Sequence, residues 1–290
     1  MNDTTIPGFE QQRVEGTGGV RLQVAVGGSG SPVVLLHGFP QTHLCWRDVA
    51  TDLARDHTVI CPDLRGYGDS DKPADTGETY SKRAMAADVV AVAKHLGFDR
   101  FALAGHDRGA LVAIRAGLDH PHVVSRLAVL DVFTTLDMWD VMRGRDAAVG
   151  FHLYLMAQPP GLAETMISAV PDEFFGHFLD IWARTPLPDT ARQVYLEKSR
   201  RAVTSIVADY RASAGVDVDH DEEDRRRGNR LRMPVTVLQQ DWGPAMTGQA
   251  MTRWQAWADD LDHRTVNCGH FMAEEDPAGV TAALRELLRR

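Results

Sequence analysis

The segment FALAGHDRG, residues 101–109, is the most informative stretch of the chain. A short apolar run leads into a Gly-x-Asp-x-Gly pattern, and an amphipathic segment typical of a helix follows. Glycines at 105 and 109 relieve crowding around a tight turn between a strand and a helix. Such a turn lifts its central side chain, here Asp107, out of the sheet, where it can act as a nucleophile. A plain glycine-rich turn with a capping aspartate is the alternative interpretation of these nine residues alone.

Strand-like and helix-like segments alternate on both sides of this turn, which predicts an α/β fold with a mostly parallel sheet flanked by helices. A segment of alternating apolar and polar residues, 20–26, comes first. The strands predicted after it are 33–36, 58–61, 101–104, 127–130, 235–238 and 264–266. The helices predicted between and after them are 44–55, 81–96, 110–118, 249–259 and 278–288.

The alternation lapses between residues 133 and 227, where aromatic residues, methionine and proline accompany helical periodicity. We therefore expect a helical cap, 133–227, inserted after the sixth strand. The core is then made of two parts, 1–132 and 228–290. The charged run 219–232 at the point of return is interpreted as a solvated helix or linker.

Further catalytic candidates follow other predicted strands. HGFP, residues 37–40, follows a buried strand, so the backbone amide of Phe39 can combine with that of Arg108 to form an oxyanion hole. His270, after the last strand, is the candidate general base. Asp131 and Asp241 each follow a strand end and are alternative partners for it, with Asp131 preferred. The order nucleophile, acid, histidine is that of the α/β-hydrolase fold.

Composition excludes several other classes of function. The chain has 290 residues, 44% of them hydrophobic, and carries 31 Lys and Arg against 40 Asp and Glu, a net charge of −9. An acidic chain without clustered cations argues against a nucleic-acid partner. The sequence contains no apolar stretch long enough for a membrane span and no targeting pattern at its start, so a cytoplasmic location is expected. Three cysteines and twelve histidines show no metal-binding spacing, so no metal is expected.

Several motifs together resemble those of haloacetate (fluoroacetate) dehalogenases and their epoxide-hydrolase relatives. They are HGFPQT, DLRGYGDSDKP, GHDRGA, LDHP, LAVLD, ADYRA and CGHF, spread from about residue 10 to the C-terminus. The resemblance implies an α/β-hydrolase with an aspartate nucleophile, a small-molecule substrate and a homodimer.

The identity of the nucleophile restricts the reaction. A carboxylate that attacks an acyl ester forms an unfavourable anhydride, whereas attack on a saturated carbon displaces halide or opens an epoxide and leaves a stable alkyl ester. In the second step His270 would activate a water that attacks the carbonyl of the esterified Asp107. Neither step needs a cofactor.

The resemblance also assigns substrate-binding residues, with two departures. Arg108 matches an arginine that binds the substrate carboxylate, although an ion pair within the protein is the alternative interpretation. A second carboxylate-binding arginine is replaced by Leu111. His152 and Tyr210 match two residues that cradle the leaving halide, but a tryptophan of that cradle is replaced by Leu153.

The cap contributes one more aromatic candidate, Trp182, which matches a pocket residue of the relatives. The departures favour a substrate larger or less anionic than haloacetate. Of the candidate functions, hydrolytic dehalogenation of a small 2-halo acid is the preferred one. Epoxide opening with His152 and Tyr210 as acids is the alternative, and a catalytically inactive binding protein is the third.

Overall fold

The computed structural model describes residues 5–290 and contains one eight-stranded sheet. Its strands are β1 (Glu10–Glu15), β2 (Arg21–Gly28), β3 (Ser31–Leu36), β4 (His57–Pro62), β5 (Phe101–His106), β6 (Val124–Leu130), β7 (Val235–Gln240) and β8 (Leu261–Val266). They lie in the order β1-β2-β4-β3-β5-β6-β7-β8. β1 and β2 pair antiparallel with each other, β2 pairs antiparallel with β4, and the remaining pairs are parallel. The predicted α/β fold with a mostly parallel sheet is confirmed.

Thirteen α-helices are assigned in the described part of the chain. Six belong to the sheet-forming parts: α1 (Arg47–Leu53), α2 (Lys82–His95), α3 (Arg108–Asp119), α11 (Pro244–Gln255), α12 (Met272–Glu275) and α13 (Pro277–Arg289). Seven lie between β6 and β7: α4 (Thr135–Val141), α5 (Phe151–Met156), α6 (Leu162–Ala169), α7 (Pro171–Ile181), α8 (Asp189–Arg200), α9 (Val203–Ser213) and α10 (Val216–Arg227). Short 3-10 helices occupy His43–Trp46 and Asp146–Ala148. Among residues 5–290, no helix combines the length and apolar character that a bilayer span requires.

The sheet is covered on both faces. Apolar side chains of α2, α3 and α11 pack in one buried cluster and those of α1, α12 and α13 in another. Every residue of β5 is buried, so its sequence is a nearly continuous apolar run and lacks the alternation of apolar and polar residues that is typical of a half-exposed strand. A sheet buried in this way is rigid, so it can hold the residues that follow its strands in fixed positions.

Strand register places the candidate residues at one edge of the sheet. Leu36 pairs with Gly105, His106 pairs with Leu130, and Leu130 pairs with Leu238. The loops that follow β3, β5, β6 and β7 therefore start side by side at the carboxyl ends of parallel strands. Ligands of open α/β sheets bind at this edge.

Three differences between the elements and the sequence predictions have a clear physical reason or position. β1 was not predicted, because its exposed and half-buried residues show little apolar alternation. The helix expected over 249–259 is α11, which begins earlier, at Pro244. The charged run is not a fully solvated helix, because Asp221 and Asp224 of α10 are buried in ion pairs with Arg115. The stretch 133–227 holds helices and no strand in the described chain, and its treatment as a separate domain remains a prediction.

Candidate active site

Asp107 occupies a strained turn between β5 and α3. Its backbone has φ 48° and ψ −118°, a conformation that a residue with a side chain rarely adopts. The flanking glycines are required by close contacts. A Cβ at 105 would lie 2.3 Å from the carbonyl oxygen of Gly109, and a Cβ at 109 would lie 2.4 Å from that of His37. The turn therefore presents the Asp107 carboxylate at the sheet edge, as the Gly-x-Asp-x-Gly pattern predicted.

One backbone amide contacts the Asp107 carboxylate, and the first amide of a helix lies next to it in the chain. The Phe39 amide donates a hydrogen bond of 2.7 Å to Asp107 Oδ1. The Arg108 amide, the second predicted donor, is the first of α3 and directly follows Asp107. The N-terminal end of a helix favours negative charge, so both features stabilise an anion at this carboxylate.

The His270 ring lies opposite Asp107 and is held by the buried carboxylate of Asp131. Its Nδ1 is 2.6 Å from Asp131 Oδ2, and its Nε2 is 3.8 Å from Asp107 Oδ2. Asp131 also accepts hydrogen bonds from the backbone and side-chain amides of Gln240, at 3.0 and 2.7 Å. Asp241, the alternative acid, is exposed and accepts the backbone N–H of Gly243 at 2.8 Å. Of the two candidate acids, Asp131 is therefore the one placed against His270.

The two nitrogens of His270 have different environments. Burial lowers the pKa of His270, but the hydrogen bond and charge of Asp131 outweigh burial and leave it above the usual 6.5. Nε2 is buried and has no hydrogen-bond partner in the described chain. The nitrogen that faces Asp107 can therefore accept a proton from a water placed between the two side chains.

A single carboxylate fixes the loop that carries His270. Glu275 accepts backbone hydrogen bonds from Gly269 and Phe271 in this loop, at 3.1 and 3.0 Å. It also accepts the amides of Arg184 and Thr185, which follow α7, at 2.8 and 3.0 Å. The histidine loop and the segment after α7 are thus held by the same side chain.

A cavity of about 360 Å³ opens above Asp107, within the size range of small-molecule sites. Its apolar lining is Leu111, Val132, Phe133, Met138, Met142, Val149, Leu153, Ile181, Trp182 and Trp242. Its polar lining is Asp107, Arg108, Asp131, His152, Tyr210, Gln240, Asp241 and His270, and Gly150 completes the wall. Val149 and Ile181 are more than half exposed, so they mark the side open to solvent. Apart from Phe39, every residue proposed from the sequence for this site lines the cavity.

His152 of α5 and Tyr210 of α9 are polar side chains in the part of the wall contributed by the segment between β6 and β7. Burial and the charge of Arg108 lower the pKa of His152 to about 3, so its ring is neutral at ordinary pH. Burial and the charge of Asp107 raise the pKa of Tyr210 well above 10, so it keeps its proton. The Tyr210 hydroxyl and His152 Nδ1 are buried without a hydrogen-bond partner in the described chain. Both side chains are therefore neutral groups able to donate to a ligand atom.

The Arg108 side chain is buried and pairs with a carboxylate of the protein, as in the alternative interpretation of this residue. Its Nε donates to Asp209 Oδ2 at 2.7 Å, and its Nη2 donates to Ser213 Oγ at 2.7 Å and to the Asp209 carbonyl at 2.9 Å. Its guanidinium also lies 4.0 Å from the ring centre of Tyr210. Nη1 makes no hydrogen bond within residues 5–290.

Residues 31–277 match the family model of the alpha/beta hydrolase fold, and the chain belongs to this family of hydrolases. It is 37% identical to a fluoroacetate dehalogenase of Burkholderia sp over 97% of this chain and 94% of that one. It is 34% identical to a soluble epoxide hydrolase of Corynebacterium sp. (strain C12) over 89% of this chain and 90% of that one. The solved structure of ALR0039, an α/β-hydrolase protein from Nostoc sp PCC 7120, superposes with a TM-score of 0.93 at 37% identity, covering 98% and 99% of the two chains. The predicted resemblance is confirmed, and these relatives favour an enzyme over a non-enzymatic binding protein.

Sequence reasoning missed three residues that hold the site together. Gln240 directly precedes Asp241, the alternative candidate acid. Asp209 stands in the quoted ADYRA segment, one position before Tyr210. Glu275 follows the CGHF motif but has no signal of its own, because its partners are backbone amides distant in sequence.

Proposed function

We propose that the protein hydrolyses an uncharged, largely apolar epoxide through an ester on Asp107. The observation that carries this proposal is the state of Arg108, the cation next to the nucleophile. Asp209 already neutralises it, and the described lining contains no other Arg or Lys. A carboxylate substrate would enter a cavity that holds other carboxylates and no unpaired cation to balance its charge, and burying such a charge is costly.

In the first step, an Asp107 carboxylate oxygen attacks a ring carbon of the epoxide and the carbon–oxygen bond to that carbon breaks. The ring oxygen takes up the proton of the Tyr210 hydroxyl and is held by the N–H of neutral His152. The product is an alkyl ester of Asp107 with a neighbouring hydroxyl group. Tyr210 and His152 suit this role because the Tyr210 hydroxyl and His152 Nδ1 have no hydrogen-bond partner among the described residues, and the ring oxygen would supply one.

In the second step, a water attacks the carbonyl carbon of the ester while His270 Nε2 accepts its proton. The developing oxyanion lies where the Phe39 amide now contacts Asp107 Oδ1. Asp131 stabilises the resulting imidazolium. Collapse of the intermediate breaks the ester bond to the alkyl oxygen, and this departing oxygen takes the second proton of the attacking water, so that a 1,2-diol leaves and the Asp107 carboxylate is restored. The proton held by His270 then passes to the Tyr210 oxygen, which lost its own in the first step. The net reaction adds one water to one epoxide.

A second candidate, hydrolytic dehalogenation of a small 2-halo acid, is favoured by one specific observation. Nη1 of Arg108 makes no hydrogen bond to the described residues, and Arg108 lines the cavity, so one guanidinium nitrogen remains for a substrate carboxylate. The fluoroacetate dehalogenase relative agrees with this candidate. Leu111 and Leu153 weigh against it, because the second cation and the indole of the resembling enzymes are replaced by apolar side chains.

Parallel assays separate the two candidates. Diol formation from styrene oxide and halide release from 2-bromopropionate are measured with the same protein. A His270→Gln variant then traps the intermediate, because the ester forms but is not hydrolysed, and intact mass shows an increment equal to the epoxide. Tyr210→Phe should slow the appearance of this increment, and Asp107→Ala should abolish it.

Halide release without diol formation would replace the first candidate by the second. A His270→Gln protein that turns over neither compound and acquires no mass from either would contradict an ester on Asp107.

A further inference from the structure

The groups that perform the proposed reaction lie together at one end of the cavity. This polar end consists of Asp107, His152, Tyr210 and His270. Trp182 lies beside it, with ring centres 4.9 Å from His270 and 5.1 Å from His152. The reacting part of a substrate is therefore held at the polar end, and its other substituents must occupy the remaining cavity.

Two chain segments lead from the polar end to solvent. Ile181, the last residue of α7, directly precedes Trp182, and Val149 lies three positions before His152. Both aliphatic side chains line the cavity, yet Ile181 is 55% exposed and Val149 is 54% exposed. They define the rim of the cavity. Asp241 is exposed and lines the cavity as well, but it is charged, so the apolar path to solvent is the one along the rim.

The two segments that form this path are held firmly. The Trp182 ring packs on that of Phe178 at 4.6 Å, and Phe178 is completely buried. Gly150, which follows Val149, is closely packed, because an added Cβ would lie 3.1 Å from Sδ of Met142. A wall that is already ordered costs a ligand little conformational entropy on binding.

The cavity is larger than the reaction requires. At about 30 Å³ per non-hydrogen atom, the share of one water in the liquid, a volume of about 360 Å³ holds about twelve such atoms. The epoxide ring and the hydrolytic water take about four of these places, which leaves about eight. A chain of about eight carbons therefore reaches from the polar end to the rim, whereas a shorter chain leaves the apolar wall in contact with water.

We propose that the path from the polar end to the rim is a subsite for an unbranched, uncharged alkyl chain, and that the preferred substrates are terminal epoxides whose chain has about six to eight carbons. This inference rests on the proposed function, which it deepens by naming the substituent and the side chains that bind it. The chain would cover Val149 and Ile181, whose apolar surface is otherwise exposed to water.

The test uses a double variant of the rim, Val149→Thr with Ile181→Thr, which keeps branched side chains and makes both polar. The matched control is Val170→Thr with Leu162→Thr. These two residues are 49% and 56% exposed, close to the rim residues, but they do not line the cavity. Circular dichroism and thermal unfolding establish that each protein is folded.

The binding measurement compares butanamide, hexanamide and octanamide by calorimetry. Their amide oxygen can accept hydrogen bonds from Tyr210 and His152, and they differ only in chain length. In the wild-type protein the dissociation constant should fall about two- to fourfold for each added methylene. The ratio of the butanamide and octanamide constants should fall at least about threefold in the rim variant and less than about 1.5-fold in the control. A general loosening of the fold would weaken all three amides alike and leave this ratio unchanged.

The activity measurement compares kcat/KM for 1,2-epoxybutane and 1,2-epoxyoctane and should show the same shifts. Wild-type affinity that does not rise with chain length, an unchanged ratio in the folded rim variant, or an equal shift in the control overturns the inference. If the double rim variant does not fold, the single variant Ile181→Thr decides, and an unchanged ratio there overturns it. If the wild-type protein opens neither epoxide, the proposed function fails, while the amide ratios still decide the role of the rim.

Discussion

Asp131→Asn should cause the ester intermediate to accumulate. Asp131 contacts His270 Nδ1 at 2.6 Å and is itself fixed by two donors from Gln240. An asparagine there has no charge, and its amide group, turned towards His270, would hold the imidazole in the tautomer whose Nε2 already carries a proton. Both effects remove the base that the second step needs.

The size of the effect follows from the ion pair that forms during ester hydrolysis. A carboxylate and an imidazolium about 4 Å apart between charge centres attract by about 4 kcal/mol at an effective dielectric constant of about 20. Loss of this attraction slows the step by about 10³, and neutralising the corresponding acid of a serine protease costs about 10⁴. Alkylation of Asp107 should change by less than about tenfold, because His270 does not accept a proton in that step.

The assay is a single turnover followed by intact-mass analysis. The Asp131→Asn protein should carry the substrate increment long after the wild-type protein has lost it. Asp241→Asn is the control and should release the ester at close to the wild-type rate. Slow release in the Asp241 variant together with normal release in the Asp131 variant would refute the assignment of the acid.

Three further predictions concern pH, substrate choice and stability. Because His270 must be neutral to accept a proton and its pKa lies above 6.5, hydrolysis-limited kcat should fall about tenfold per pH unit below that pKa; a flat profile down to about pH 5 would contradict this role. Fluoroacetate should be turned over more slowly than chloroacetate or a neutral epoxide, because Leu153 replaces an indole donor, and fluoride electrode measurements showing efficient release would contradict it. Gly105→Ala should lower the free energy of unfolding in urea by about 3 kcal/mol or more, because the added Cβ would lie 2.3 Å from a backbone oxygen. Gly248→Ala, at an uncrowded helical position, is the control and should not lower it.

The features that sequence predicted well are local ones. The nucleophile turn, the HGFP segment and Asp131 each follow directly on a buried apolar strand, and the parallel register brings these strand ends together. Once the strands are recognised, the approximate positions of Asp107, Phe39 and Asp131 follow from topology. The cavity is also lined by residues assigned from the resemblance to dehalogenases and epoxide hydrolases, including His152 and Tyr210.

Features that depend on pairing between distant charges were not predictable. Arg108 stands next to Asp107 in the chain, yet its side chain turns to Asp209, about a hundred positions away. The charged run before β7 looked like a solvated surface, but Asp221 and Asp224 fold inward onto Arg115. The sequence identifies an aspartate but does not show whether its carboxylate faces water or a buried guanidinium.

The anchoring of the histidine loop by Glu275 has a consequence for protein engineering. Four backbone amides, two beside His270 and two after α7, converge on this carboxylate. A chimaera that receives residues 133–227 from a relative must therefore keep the two hydrogen bonds from the backbone amides at positions 184 and 185 to Glu275. Without them Glu275 loses two of its four donors, and the loop that positions His270 is held less firmly. Chimaeras that keep these two hydrogen bonds should retain ester hydrolysis even when the cavity wall contributed by residues 133–227 is replaced.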